Sequence, residues 1–407
     1  MNRFVDIVIV GSGPSGLAAA VKIKENMPGA RVLLIEKMKQ PAKKLSASGN
    51  GRGNLSNRKC ESCDEALRFF SEIGVAVRMD SEGRIYPYSE DAKAVTDSLV
   101  KRAKQLGVEI LLNTKADSVE AARDKKGRFH IFVEREKERG QIFADYVLIA
   151  TGGKSFASYG STGDGQIMAR KLGHTIKPMI PALTAIEIKE NIKSLKGIRA
   201  KAQASLFFQG ESVFCEQGEI QFREDCISGI CIMNMSSKLP VSGHDDGGKS
   251  MENCKIVINF MPDFSSAELV GFLKNEADNI CKTASDMLKT LVKTAILDEI
   301  LKRSNIAPDK EAKSLTMEEI LSLANGLRMF TLTPTGRKGW KEAQVTKGGV
   351  CLEEIDGKTM ESKLVKGLYF AGEVTDYDGP CGGYNLNNAW ITGIKAGCAM
   401  AAAFKGE

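Results

Sequence analysis

Val5-Asp6-Ile7-Val8-Ile9-Val10 runs straight into Gly11-Ser12-Gly13-Pro14-Ser15-Gly16 near the start of the chain. Apart from Asp6 the first six residues are β-branched and apolar, which fits a strand buried on both faces. Alanine-rich Leu17 to Lys24 follows with helical spacing, and a second apolar run, Arg31-Val32-Leu33-Leu34-Ile35, closes on Glu36. Strand, glycine turn, helix, strand and terminal acid make one βαβ unit. Gly16 to Glu36 covers the roughly 20 residues of a dinucleotide fingerprint. Each part has a physical task. Gly11 permits the tight turn, Gly13 lets the backbone approach a pyrophosphate, and Gly16 lets helix pack on strand. Ser12, Pro14 and Ser15 stand at the helix N-terminus, where unpaired N–H groups and the helix dipole favour an anion. The Glu36 carboxylate can accept hydrogen bonds from ribose hydroxyls and would repel a 2′-phosphate.

The remaining composition bounds the answer. A chain of 407 residues holds two to three domains at about 150 residues each. With 43% hydrophobic and 27% charged residues it is ordinary globular material, which excludes disordered, collagen-like and disulfide-scaffold classes. Fifty-seven basic against 51 acidic residues leave +6, spread without a clustered Lys/Arg tract, so no nucleic-acid partner is expected. No apolar stretch approaches the roughly 18–20 residues needed to span a bilayer, and no membrane association is expected. The ten cysteines are scattered, and Cys60-x-x-Cys63 has no second pair at zinc-like spacing. Reduced thiols in a cytoplasmic protein, with no metal, are the expectation.

Further along, Ala92 to Leu106 reads as a helix, and Glu109–Asn113, Arg128–Glu134 and Asp145–Ala150 as strands. The last of these ends in Ala150-Thr151-Gly152-Gly153, a small-residue turn that can admit a ligand closely. From about Ile180 the texture changes to short separated strands: Thr184–Ile188, Ala202–Gln209, Glu219–Phe222 and Lys255–Phe260. Ser265-x-x-Glu268 and Thr316-x-x-Glu319 are capping boxes ahead of apolar stripes. Gly367 to Glu373 reads as another strand ending in glycine, Gly379 to Asn385 as a tight loop, and Ala389 to Phe404 as a helix. The pattern points to an α/β fold, a Rossmann-type domain split between the chain ends around an insertion of short strands, as of a small β-barrel or sandwich, and helices. Its boundaries are 1–178 and 346–407 for the nucleotide domain, 179–262 with 327–345 for the barrel-like part, and 263–326 for the helices.

The C-terminal segment separates FAD from NAD. An extended flavin coenzyme needs a second contact set for its ribityl and ring ends. Gly372-Glu373 supplies a strand end with a carboxylate for ribityl hydroxyls, and the backbone of Asn385 and Leu386 supplies N–H donors toward flavin N1/O2. Four stretches then resemble the BaiN/YhiN-like family of FAD-dependent oxidoreductases. They are Lys44 to Asn57 around Ser48-Gly49-Asn50-Gly51-Arg52; Ala150–Gly153 with Gly160–Gly165; Ala343–Val350 with Thr359–Lys363; and Gly367 to Leu386. The resemblance implies an inserted β-barrel-like domain and a small helical one. It also implies FAD held by Glu36, Lys37, Lys44, Ser48, Gly49, Asn50, Gly51, Arg52, Asn54, Ala116, Ala150, Thr151, Gly152, Gly372, Glu373, Asn385 and Leu386. Two departures stand out: Gly53 where the family usually has Cys, and Asn387-Asn388 where it often has Gln-Trp.

Chemistry at the flavin needs positioning and one proton donor or polariser. His130, His174 and His244 lie in no motif and read as structural. Arg84 can polarise a carbonyl, and Tyr86 or Tyr159 can protonate a carbon. No second GxGxxG follows a strand, so NAD(P)H is expected only as a transient reductant. The resemblance leaves two reactions open. One is NAD(P)H-driven reduction of C=C bonds in conjugated 3-oxo steroid or bile-acid-type enones. The other is oxidation of small amines such as aminoacetone by O2. An apolar cleft lined by Phe207, Phe208, Phe260 and Met261 would favour the steroid.

Overall fold

The computed structural model describes residues 2–121, 127–240 and 250–405, and His244 lies outside them. The chain separates into two compact units, Met1–Pro181 with Ala343–Glu407, and Ala182–Glu342.

In the first unit the opening residues form β1 (Asn2–Val10), α1 (Pro14–Asn26) and β2 (Val32–Ile35). After α2 (Ala92–Gln105) come β3 (Glu109–Leu111), β4 (Thr114–Ala121), β5 (Phe129–Arg135) and β6 (Glu138–Ile149). Near the C-terminus β7 (Leu368–Phe370) precedes α3 (Tyr384–Lys405). The sheet order is β3-β2-β1-β6-β5-β4, with β7 also on β6. β1, β2, β3, β6 and β7 run parallel, Val8 lying opposite Val147 and Tyr369 opposite Leu148. β4, β5 and β6 form an antiparallel meander. Ile7, Val8 and Ile9 are fully buried, as the run of β-branched residues demands of a central strand.

α3 begins at Tyr384 rather than Ala389. Its Asn387 N–H already reaches Gly383 O at 2.9 Å, and Gly383, at φ +103°, makes the turn into it. α3 lies against α1 at two glycines. A Cβ on Gly393 would come within 2.3 Å of Ser15 O, and one on Gly397 within 2.6 Å of Ala19 O. The two ends of the polypeptide thus share one hydrophobic core through a contact that side chains would block.

In the second unit seven strands form an antiparallel sheet. Its order is Phe330–Leu332, Cys254–Asn259, Arg199–Phe208, Glu211–Phe222, Cys226–Ser228, Ile186–Ile188 and Pro334–Arg337. Both expected capping boxes form, Ser265 with Glu268 and Thr316 with Glu319, and Thr283 with Asp286 makes a third. Leu269, Leu273, Ile300 and Leu327 from the helices pack with Ile256, Ile258 and Phe330 from the strands. Strands and helices of this unit contribute to one hydrophobic core. Among the described residues no helix is long and apolar enough to cross a membrane.

Candidate functional site

The carboxyl ends of β1, β2, β6 and β7 gather the glycine-rich turns on one edge of the sheet, the edge where open α/β sheets bind ligands. Gly11 sits at φ +106°, and a Cβ there would lie 2.4 Å from Ala150 O. A Cβ on Gly16 would meet Gly11 O at 2.0 Å, so that glycine closes helix onto turn. Gly13 differs. Its backbone is extended, and a Cβ on it would approach nothing closer than Ala150 O at 4.0 Å. Nothing in the folded chain requires glycine at that position, whereas a phosphate lying on the α1 N-terminus would. Pro14 starts the helix without an N–H, and the Ser15 hydroxyl bonds Ala371 O at 3.3 Å.

Glu36 at the end of β2 accepts from Ser12 N at 3.1 Å and Ser12 Oγ at 2.5 Å, and from Met38 N at 2.8 Å. Its carboxylate is thereby fixed beside the glycine turn with lone pairs left for a ribose. Lys37 is ion-paired to Asp164 at 2.6 Å. Ala116 is buried in β4, whose first residue donates to Glu36 O at 2.9 Å.

Ser48-Gly49-Asn50-Gly51 makes a tight turn in which Gly49, Asn50 and Gly51 are all left-handed, at φ +57°, +57° and +85°. Arg52 leaves it to stack over the Tyr86 ring at 5.0 Å. Asn54 joins this block to the C-terminal loop: its amide nitrogen faces Ser56 O at 3.2 Å and its oxygen takes the Gly383 N–H at 3.3 Å. Ser56 Oγ donates to Asn387 Oδ1 at 2.7 Å, Asn57 to Gly382 O at 2.9 Å, and buried Trp390 to Leu55 O at 2.9 Å. The Asn385 side chain closes the loop by pairing with Gly379 N at 2.9 Å and Gly379 O at 2.8 Å. Asn385 and Leu386 stand in the first turn of α3, where their N–H groups have no helical acceptor.

A polar cluster ties the remaining turns together. Lys44 Nζ donates to Glu373 Oε2 at 2.7 Å and Ser155 Oγ at 2.8 Å. Glu373 Oε1 accepts from Thr346 N at 2.8 Å and Ser155 Oγ at 3.1 Å, and Gly372 N donates to Thr392 Oγ1 at 2.9 Å. Glu373, expected to meet ribityl hydroxyls, is thus first a strut between four segments. Gln166, 1% exposed, donates to Gly152 O at 3.2 Å and Val374 O at 3.4 Å, bracing the turn that carries Ala150, Thr151 and Gly152. Ser155, Gln166 and Thr346 were not singled out from sequence, because their partners lie far away in the chain. Ser48 Oγ and Gln166 Oε1 are buried without a partner. Together with Gly13 and the bare first turn of α3, these orphaned atoms fit an extended dinucleotide crossing the sheet edge.

Arg84 is held by Asp80 at 2.7 Å and Glu82 at 2.8 Å on its own hairpin, so its charge is already neutralised. Tyr86 is buried under Arg52. Tyr159 stacks on Phe156 at 5.5 Å with Lys43 over its ring, beside Gly160, where a Cβ would meet Met38 at 3.0 Å. Phe156, its stacking partner, in turn lies under Lys44, the cation bonded to Glu373. His174 is structural, as expected, bonding Glu354 at 3.2 Å and Ser362 at 2.9 Å, and burial holds its pKa down. His130 packs edge-on to Phe143 at 4.8 Å. Phe260 lies in the second unit's own core, edge-on to Phe330 at 5.6 Å, so it lines no cleft there. Phe208 and Met261 flank that same core.

The model of the HI0933-like protein Rossmann domain matches residues 62–399, and that of an NAD(P)-binding Rossmann-like domain matches residues 9–47. A 3-dehydro-bile acid delta(4,6)-reductase of Clostridium scindens is 31% identical over 98% of this chain and 99% of its own. A ribosomal RNA dihydrouridine synthase of Escherichia coli is 26% identical over 96% of each chain. A crystal structure of 3-ketosteroid-delta4-(5alpha)-dehydrogenase from Rhodococcus jostii RHA1 superposes with a TM-score of 0.50 at 14% identity, covering 98% of this chain and 97% of that one. The likeness to that structure speaks for the fold.

Proposed function

This chain belongs to the HI0933-like protein family and is an FAD-dependent oxidoreductase, and on that premise we propose that it reduces a carbon–carbon double bond conjugated to a ketone, with a steroid-type enone as substrate and NAD(P)H as reductant. The observation that carries this reading is the full-length similarity to a reductase acting on a 3-dehydro bile acid. The second relative supports the reaction type: making dihydrouridine also saturates a double bond conjugated to a carbonyl. Neither relative's name describes amine oxidation.

When bound, FAD supplies hydride chemistry that the amino-acid side chains lack. The chain's own part is to hold and orient. The α1 N-terminus with Gly13 would seat the pyrophosphate, Glu36 the ribose, and the turns braced by Lys44, Glu373 and Gln166 the ribityl portion. The N–H groups of Asn385 and Leu386 would stabilise negative charge gathering at the pyrimidine end of the ring, a preorganised arrangement needing no reorganisation during reaction.

The test is anaerobic incubation of FAD-loaded protein with NADH or NADPH and a 3-oxo-Δ4,6 steroid. The reading expects a product that keeps the ketone and has one carbon–carbon double bond fewer for each NAD(P)H consumed. Peroxide release with aminoacetone in air and no steroid product would replace it with the amine oxidase, and turnover of uridine in RNA alone would replace the substrate class.

A further inference from the structure

The reaction proposed above needs a proton at the carbon next to the carbonyl. Of the residues read from sequence, Arg84 is held by Asp80 and Glu82, and Tyr86 is buried under Arg52. The loop entering α3 offers another. Tyr377 follows Gly372 and Glu373 and is half-buried; its hydroxyl has no hydrogen-bond partner among the described residues. The loop is shaped around it. A Cβ on Gly379 would fall 3.0 Å from the Tyr377 hydroxyl and 2.8 Å from Tyr384 Cβ, so glycine there leaves the phenol its place. Gly379 is in turn pinned through both its N–H and its C=O to the side chain of Asn385, the residue whose backbone opens α3. The phenol therefore belongs to a loop that is tied to the first turn of α3 through Gly379 and Asn385.

We infer that Tyr377 is the proton donor of the reductive step, a reading that rests on the proposed enone reduction. FAD, once bound and reduced by NAD(P)H, would supply the hydride for the new C–H bond at the β-carbon. The π pair of the double bond then takes the Tyr377 proton at the α-carbon; the phenolic O–H breaks and water reprotonates the phenolate. The environment suits the task. Burial and the neighbouring Cys60, Asp378 and Tyr384 hold the phenol above its usual pKa of 10, keeping it protonated throughout the physiological range. Cys60, whose own thiol is pushed up by burial, stays protonated beside it.

The experiment uses FAD-loaded wild type and Tyr377→Phe, reduced anaerobically and mixed with a 3-oxo-Δ4,6 steroid. Reoxidation by the steroid should slow about 100-fold in the variant, while reduction by NAD(P)H and reoxidation by O2 stay unchanged. A second readout needs no turnover: a steroid with a phenolic A ring, mimicking the enolate, should bind about tenfold more weakly to Tyr377→Phe. Unchanged steroid reoxidation and mimic binding, or the loss appearing in Tyr159→Phe instead, overturns the assignment. A wild type that no conjugated ketone reoxidises defeats the underlying reading, and then only the mimic binding decides whether the phenol faces the ligand.

Discussion

Replacing Gly393 by alanine should destabilise the protein even though alanine is the better helix former. The built Cβ would sit 2.3 Å from Ser15 O, 2.8 Å from Ser15 Cα and 2.9 Å from Ser15 C, all backbone atoms of α1 that cannot swing aside. Relief requires α1 and α3 to part by about 1 Å, and overpacking of this kind costs roughly 1–3 kcal/mol. Against it stands a gain of up to about 1 kcal/mol in helix propensity. With the full propensity gain the net expectation is a loss of up to about 2 kcal/mol. Gly271 supplies the internal contrast: it lies on the exposed face of a helix with nothing within 4 Å of a built Cβ, so Gly271→Ala should stabilise by a few tenths to about 1 kcal/mol. Denaturant unfolding of both variants decides the matter. Because α1 also carries Gly13 and Pro14, Gly393→Ala should retain less FAD as well. If Gly393→Ala shifts the midpoint upward as Gly271→Ala does, the close approach of the two chain ends is wrong.

Further outcomes follow from the same contacts. Lys44→Met removes the cation between Glu373 and Ser155 and should weaken FAD binding about tenfold, read by titration of the apoprotein. Trp390→Phe leaves Leu55 O without its 2.9 Å donor in a buried site and should cost about 1–3 kcal/mol in unfolding experiments. His174 is buried with its pKa lowered from 6.5, so its contribution is fully present above that value and is lost as pH falls from there through the lowered folded value. Unfolding midpoints measured from pH 8 to about 5 should fall more steeply in wild type than in His174→Gln; parallel curves would rule this out.

The βαβ unit was legible because every local signal agreed: a two-face-buried strand, glycines at a turn that demands them, and an acid at the right distance. The capping boxes at Ser265 and Thr316 were legible for the same reason, a hydroxyl paired with Glu three residues on. The third, at Thr283, uses Asp286 in the Glu position and was missed. The start of α3 was misplaced because Tyr384 to Asn388, rich in asparagine, has the composition of a loop. What makes it helical is Gly383 turning the chain and the Ser56–Asn387 and Asn54–Gly383 bonds, which join residues more than 300 positions apart. Likewise the Asp80 and Glu82 partners of Arg84 stand in plain sight in the sequence, but only geometry shows that both reach it. The Lys44–Ser155–Glu373–Thr346 cluster draws on four distant segments and could not be assembled from spacing alone.

The most direct test concerns Gly13, the one glycine of the turn whose side-chain space faces away from the protein. Gly13→Val should leave the stability of the cofactor-free protein within about 1 kcal/mol of wild type. Wild-type apoprotein should take up one FAD per chain, and the variant should take up none at the same concentrations. Equal uptake by both, or a folded wild type that binds no FAD, would contradict a coenzyme pyrophosphate resting on the α1 N-terminus.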